Sequence, residues 1–183
     1  MTEPLRVPVE FSRPVAAVGV GPQPQVRRIS AEPEERRQLA ERFGLSALDS
    51  LSADLELSRH AGDIIGLSGR LEADVVQSCV VTLVPVPAHI ETEFEVSYST
   101  TAAEATEVDL DPLAEEGPEP LIDGEIDLGE AVAQQLAVAL DPYPRAPGAA
   151  WPQADTGDAD IAAEPVRRPF AALDALKKRG KRP

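Results

Sequence analysis

Cysteine is almost missing from this chain: Cys79 is the only one in 183 residues. One thiol excludes an internal disulfide, which fits a reducing compartment. It also leaves too few ligands for a structural zinc site, because the only histidines, His60 and His89, are far from it in sequence. Aromatic residues are 4% of the chain, so the core must be built from Val, Leu, Ile and Ala. The same scarcity removes the stacking platforms of an RNA-recognition module. No apolar run approaches the roughly 20 residues that a membrane helix needs. The first dozen residues carry Glu3, Arg6 and Glu10 with no apolar segment behind them. No secretory leader is expected, and a cytoplasmic protein is. Gly19-Val20-Gly21 lacks the third glycine and the following helix of a phosphate-binding loop.

What is present is acid, unevenly placed. The net charge is −15, yet all three lysines lie in the last 17 residues. There Arg167, Arg168, Lys177, Lys178, Arg179, Lys181 and Arg182 face one anion, Asp174. Residues 1 to 166 hold ten cations and 31 anions, a net of −21. Between Glu104 and Glu130 there are eleven carboxylates and no cation. Such a body repels nucleic acid, whereas the tail attracts it. The seven tail cations are therefore candidate RNA contacts. Glu104, Glu107, Asp109, Asp111, Glu115, Glu116 and Glu119 are candidate contacts for a basic protein.

Periodicity orders the rest. Residues 5 to 11 alternate and read as a short edge strand, with Pro8 inside it. Residues 19 to 24 read as a loop. A peripheral helix is expected from Pro33 to Phe43, starting near Ser30 or Ala31 and stopped by Gly44. A sheet is expected from Leu51, with a turn at His60 to Asp63. Ile65, Leu67, Gly69, Leu71, Ala73 and Val75 alternate with polar residues, the mark of a half-buried strand. The same parity reaches Cys79, Val81 and Leu83. A straight strand that long would span ~60 Å, so a bend or bulge is expected at Val76 to Ser78. Pro85-Val86-Pro87 then reads as the turn into a strand with Ile90, Thr92, Phe94, Val96 and Tyr98 on one face. Residues 99 to 124 read as a mobile acidic loop. Asp127 and Glu130 suggest a capping box for a helix that buries Leu128, Val132, Leu136 and Leu140 and ends at Asp141-Pro142.

Chemistry is harder to find. An acid/base pair needs a carboxyl held in a protected pocket. These carboxylates fall mostly in solvated stretches. By parity Cys79 faces the core, where a thiol packs as a small hydrophobe with its pKa pushed up.

Several segments nonetheless resemble one family. Ser68-Gly69-Arg70-Leu71-Glu72-Ala73-Asp74-Val75, then Cys79-Val80-Val81-Thr82-Leu83 and the strand to Tyr98, are similar to YceD proteins, the large ribosomal RNA subunit accumulation proteins. Asp123-Gly124-Glu125-Ile126-Asp127-Leu128, Asp141-Pro142-Tyr143-Pro144 and the terminal Pro169-Phe170-Ala171-Ala172-Leu173 with Lys177-Lys178 fit the same pattern. The resemblance marks Gly69, Cys79, Asp127, Leu128 and Pro142 as structural motif positions. Many members carry Cys-x-x-Cys where this chain has Cys79-Val80-Val81-Thr82, so no metal or redox role is carried over.

The expected fold is α+β: a curved antiparallel sheet or small partly closed barrel, a packed C-terminal helix and a peripheral N-terminal helix. Residues 1–145 would form the domain and 146–168 a disordered linker. Residues 169–183 would form a short amphipathic helix and basic tail. The resemblance implies a non-enzymatic accessory factor supporting synthesis, processing or stability of 23S ribosomal RNA, without a cofactor. The partner would be 23S ribosomal RNA or its precursor, or a basic large-subunit ribosomal protein held by an acidic module. An RNA-processing hydrolase would need clustered buried polar residues, which the sequence does not display.

Overall fold

The computed structural model describes residues 9–61, 63–99, 117–121 and 123–150. All of these but Ala150 belong to one unit, Met1–Ala149. Chain order is β1 (Pro14–Ala16), a single 3-10 turn (Ala17–Gly19), β2 (Gln25–Ser30), α1 (Pro33–Phe43), β3 (Ala47–Arg59) and β4 (Ile64–Ser78). Then come β5 (Pro85–Ser99), β6 (Glu119–Pro120), β7 (Glu125–Asp127) and α2 (Leu128–Ala139).

Alternation builds the sheet. Strands β2-β3-β4-β5-β6 lie side by side, antiparallel except for the short parallel β5–β6 pair. Leu51, Ala53, Leu55 and Leu57 of β3 stand opposite Ala73, Leu71, Gly69 and Leu67 of β4. These leucines and alanines are buried, as are Ile65 and Val75. The described strands form an open sheet rather than a barrel. Gly69 is needed for packing: a Cβ there would run into the Leu55 methyl group and press on the Phe94 ring.

Helix α2 covers the apolar face with Leu128, Val132 and Leu136, all buried. It ends at Ala139, and Leu140 already has extended geometry ahead of Asp141-Pro142. Gly129 lets the incoming chain pass close by, since a Cβ there would collide with the Phe11 carbonyl. Phe11 is fully buried as a result. Helix α1 sits outside the sheet against β3 but is not loosely attached. Its Leu39 is fully buried, and its Arg42 reaches both Glu10 and Glu130. Its N-cap is Glu32, not Ser30 or Ala31, in a reciprocal capping box with Glu35. Gly44 closes it in the left-handed conformation, φ 65°.

Several expectations need correction. Residues 9–11 of the expected first strand are not strand, and residues 1–8 lie outside the described residues. The strand is Pro14–Ala16, paired with β7. Strand β2 was not anticipated, because Val26 and Ile29 have opposite parity and Val26 is exposed. The strand expected from Leu51 is β3, which starts earlier, at Ala47, and β2 precedes it in the sheet. No bulge falls at Val76 to Ser78; β4 is continuous to Ser78 in unbroken register with β5, and the register shift of the β3–β4 pair lies in β3, between Leu48 and Ser50. The chain reverses over residues 79 to 84, where Leu83 has φ 61° and is exposed, so the buried parity ends at Cys79. Pro85 and Pro87 therefore lie in β5, opposite Ser78 and Val76. They are tolerated because this stretch of β5 is a sheet edge among the described residues.

Candidate functional site

The motif positions from the sequence fall at two ends of the scaffold. Asp127 caps α2 and ties it to the incoming chain: its Oδ1 accepts from the backbone N–H groups of Arg13 (2.7 Å), Gly129 (3.0 Å) and Glu130 (3.2 Å). Its Oδ2 accepts from the Ser12 hydroxyl. The carboxylate is thus a fastener. Leu128 is the buried first residue of the helix. Glu130 does not complete a capping box; both its oxygens accept from the Arg42 guanidinium at 2.8 and 2.9 Å. That contact holds the Glu130 carboxyl below its usual range and raises Arg42 further. Pro142 is exposed just past the helix.

Cys79 sits at the opposite end, in the turn after β4. The turn is held by Cys79 N–H to Val84 O and Leu83 N–H to Cys79 O, both 2.9 Å. Val80 N–H to Pro144 O, 2.9 Å, ties it to the segment after α2. Cys79 has no solvent exposure, but it lies apart from the main apolar cluster. The Ala146 backbone N–H, and then Thr82, hydrogen-bond the sulfur. These donors outweigh burial and lower the thiol from its usual 9.0 to about 6, so the expected upward shift is wrong in direction. Spacing along the sequence could not show the Ala146 amide arriving from 67 residues away.

The second face of the sheet is charged. Arg28, Asp54, Arg70 and Glu93 stand in register across four strands. Glu72 and Glu91, a like-charged pair directly opposite each other, are bridged by Arg70. Asp74 is lowered by its bond to His89 Nδ1 (2.8 Å), then by the Ser50 hydroxyl (2.7 Å). This face carries Asp54, Glu56, Glu72, Asp74, Glu91, Glu93 and Glu95 against Arg28 and Arg70, so it repels phosphate.

Of the candidate partner-binding residues, Glu119 alone is described; Glu104, Glu107, Asp109, Asp111, Glu115 and Glu116 lie outside the described residues. So do all seven candidate RNA contacts, Arg167 to Arg182, together with the expected tail helix. Glu119 lies opposite Tyr98 at the rim of a hollow of about 670 Å³. Tyr98, Leu121, Ile126 and Ala131 form its apolar floor; Glu119 and Glu125 stand on its rim. Burial, and then the charges of Glu119 and Asp127, push the Tyr98 phenol up to about 12. Sequence reading missed the hollow because its walls come from β5, β6, β7 and α2 together.

Among the described residues no group of three or more His, Cys, Asp and Glu side chains could hold a metal ion. No helix there is long and apolar enough to cross a membrane. Fold and site together define an acidic α+β protein with one dry and one charged sheet face, its best-connected polar groups fastening the scaffold. Residues 67–177, more than half of the chain, match the family model described as "Large ribosomal RNA subunit accumulation protein YceD", and the chain belongs to that family. No curated protein matches the chain, and no solved structure does.

Proposed function

We propose that this protein is a non-enzymatic, cytoplasmic accessory factor of large-subunit assembly that supports the synthesis, processing or stability of 23S ribosomal RNA. The family match carries the reading, since the family is named for accumulation of that RNA. The charge layout supports a division of labour. The tail cations Arg167, Arg168, Lys177, Lys178, Arg179, Lys181 and Arg182 contact RNA phosphates, while the acidic body limits indiscriminate coating. No cofactor enters the reading.

The test is the ratio of 23S to 16S ribosomal RNA in a deletion strain complemented by the full chain or by residues 1–166. The reading expects a low ratio that the full chain restores. Restoration by residues 1–166 as well would remove the tail from the mechanism, and an unchanged ratio in the deletion strain would overturn the reading.

A second reading, an acidic module that holds a basic large-subunit ribosomal protein, is favoured by one sequence fact. Residues 71 to 144 contain 17 carboxylates and no Lys or Arg. Neutralising Glu104, Glu107, Asp109, Asp111, Glu115, Glu116 and Glu119 should abolish capture of such a protein in a pull-down; unaltered capture would exclude it.

A further inference from the structure

The hollow between β5, β6, β7 and α2 combines two features that suit one kind of occupant. Its floor is apolar: Ile126 and Ala131 are buried, and Leu121 is half-buried. Tyr98 is 9% exposed. Its rim is anionic, and the described residues lining it include no cation. Two other nearby carboxylates are already committed, Asp127 to the α2 cap and Glu130 to Arg42. Glu119 and Glu125 are different: neither side chain has a hydrogen bond or ion pair with the described residues. They are free to meet an incoming charge. The volume, about 670 Å³, lies within the roughly 300–1,000 Å³ of ordinary ligand pockets and has room for more than one side chain.

We infer that this hollow is the docking site for a Lys/Arg-rich protein segment carrying one large apolar side chain. The apolar side chain enters over Tyr98 and Ile126, and the flanking cations meet Glu119 and Glu125. Nucleic acid is not the occupant, because its phosphates would face an anionic rim inside a stretch of chain without Lys or Arg. The inference rests on the second reading above, that the chain holds a basic protein, and adds where and by which contacts it does so. Burial of the anchor supplies affinity, and the rim sets the sign of the charge that is accepted.

The test uses the full-length protein and three synthetic peptides of equal length, measured by calorimetry. One is Lys/Arg-rich with a central Phe, one has that Phe replaced by Ser, and one keeps the Phe but has Glu in place of its cations. The site predicts at least tenfold tighter binding of the first than of either other peptide. Gln134 lies on the exposed side of α2 at the edge of the hollow, so Gln134→Trp fills the hollow from a solvent-facing position. That variant should erase the preference for Phe over Ser. Paired Glu119→Lys and Glu125→Lys should erase the preference for basic over acidic peptide. Circular dichroism of each variant separates a blocked hollow from a misfolded chain. Binding of both basic peptides alike, unaffected by Gln134→Trp, would overturn the hollow and leave the acidic-module reading standing. Absence of binding by any basic peptide would overturn both.

Discussion

The two faces of the central sheet obey different rules, although they are made by the same strands. On the inner face of β4, Ile65, Leu67, Leu71, Ala73 and Val75 are sealed beneath α2 and against β3. One residue away, Arg70, Glu72 and Asp74 are exposed, and among the described residues their side chains pair with one another and with neighbouring strands. Stability is thus concentrated on one face and charge on the other. A period of two allows each to change without the other.

Substitutions along β4 and α2 measure that separation. Leu71→Ala should produce the largest loss, about 3 kcal/mol, because it empties a fully buried position and leaves a cavity. Urea unfolding would read it directly. Asp127→Ala should cost about 1–2 kcal/mol, because the N-cap is lost and the Arg13, Gly129 and Glu130 amides lose their acceptor. Arg70→Ala, one position from Leu71 but on the wet face, should change stability by no more than about 0.5 kcal/mol. A loss at Arg70 matching that at Leu71 would break the distinction between the faces.

At Cys79 the expected effect is read by titration rather than by unfolding. Its folded pKa is lowered to about 6 from 9.0, so thiolate absorbance near 240 nm should rise as native protein passes pH 6, and only near pH 9 once it is unfolded. The sign follows from linkage. A depressed folded pKa stabilises the fold fully above pH 9, and that contribution is lost as pH falls towards 6. A native thiol titrating at 9 or above, with Cys79→Ala as the blank, would show that burial outweighs the amide donors.

What could be read from the chain divides along similar lines. Helices α1 and α2, the His60–Asp63 turn and the inward faces of β3, β4 and β5 follow from periodicity, caps and breakers, all of which are local. Of the YceD motifs, Ser68 to Val75 and the strand to Tyr98 lie within those elements, whereas Cys79 to Leu83, Asp123 to Asp127 and Asp141 to Pro144 lie between them and Pro169 to Lys178 falls outside the described residues. Contacts between distant segments were not legible. Phe11 against Gly129, Ser12 and Arg13 on Asp127, and Arg42 on Glu130 join residues 88 to more than 100 positions apart. The turn at residues 79 to 84 was misplaced because proline was read as a breaker, when an edge strand has N–H positions it can leave unfilled. The hollow had no sequence signal, since each of its walls alone looks like ordinary strand or helix surface.

Strand β5 has one further consequence. From Pro85 to Ser97 only one of its edges is paired among the described residues, with β6 touching it only at Tyr98 and Ser99. An open edge that long is a template on which another copy of the chain could extend the sheet. Two prolines interrupt its start, and Glu91, Glu93 and Glu95 place a negative charge at every second residue further along. A second β5 laid parallel and in register would set each glutamate over its own copy. The carboxylates that give this sheet its wet face therefore also act as a guard against fibrillar stacking, and acidification that neutralises them would lower that guard.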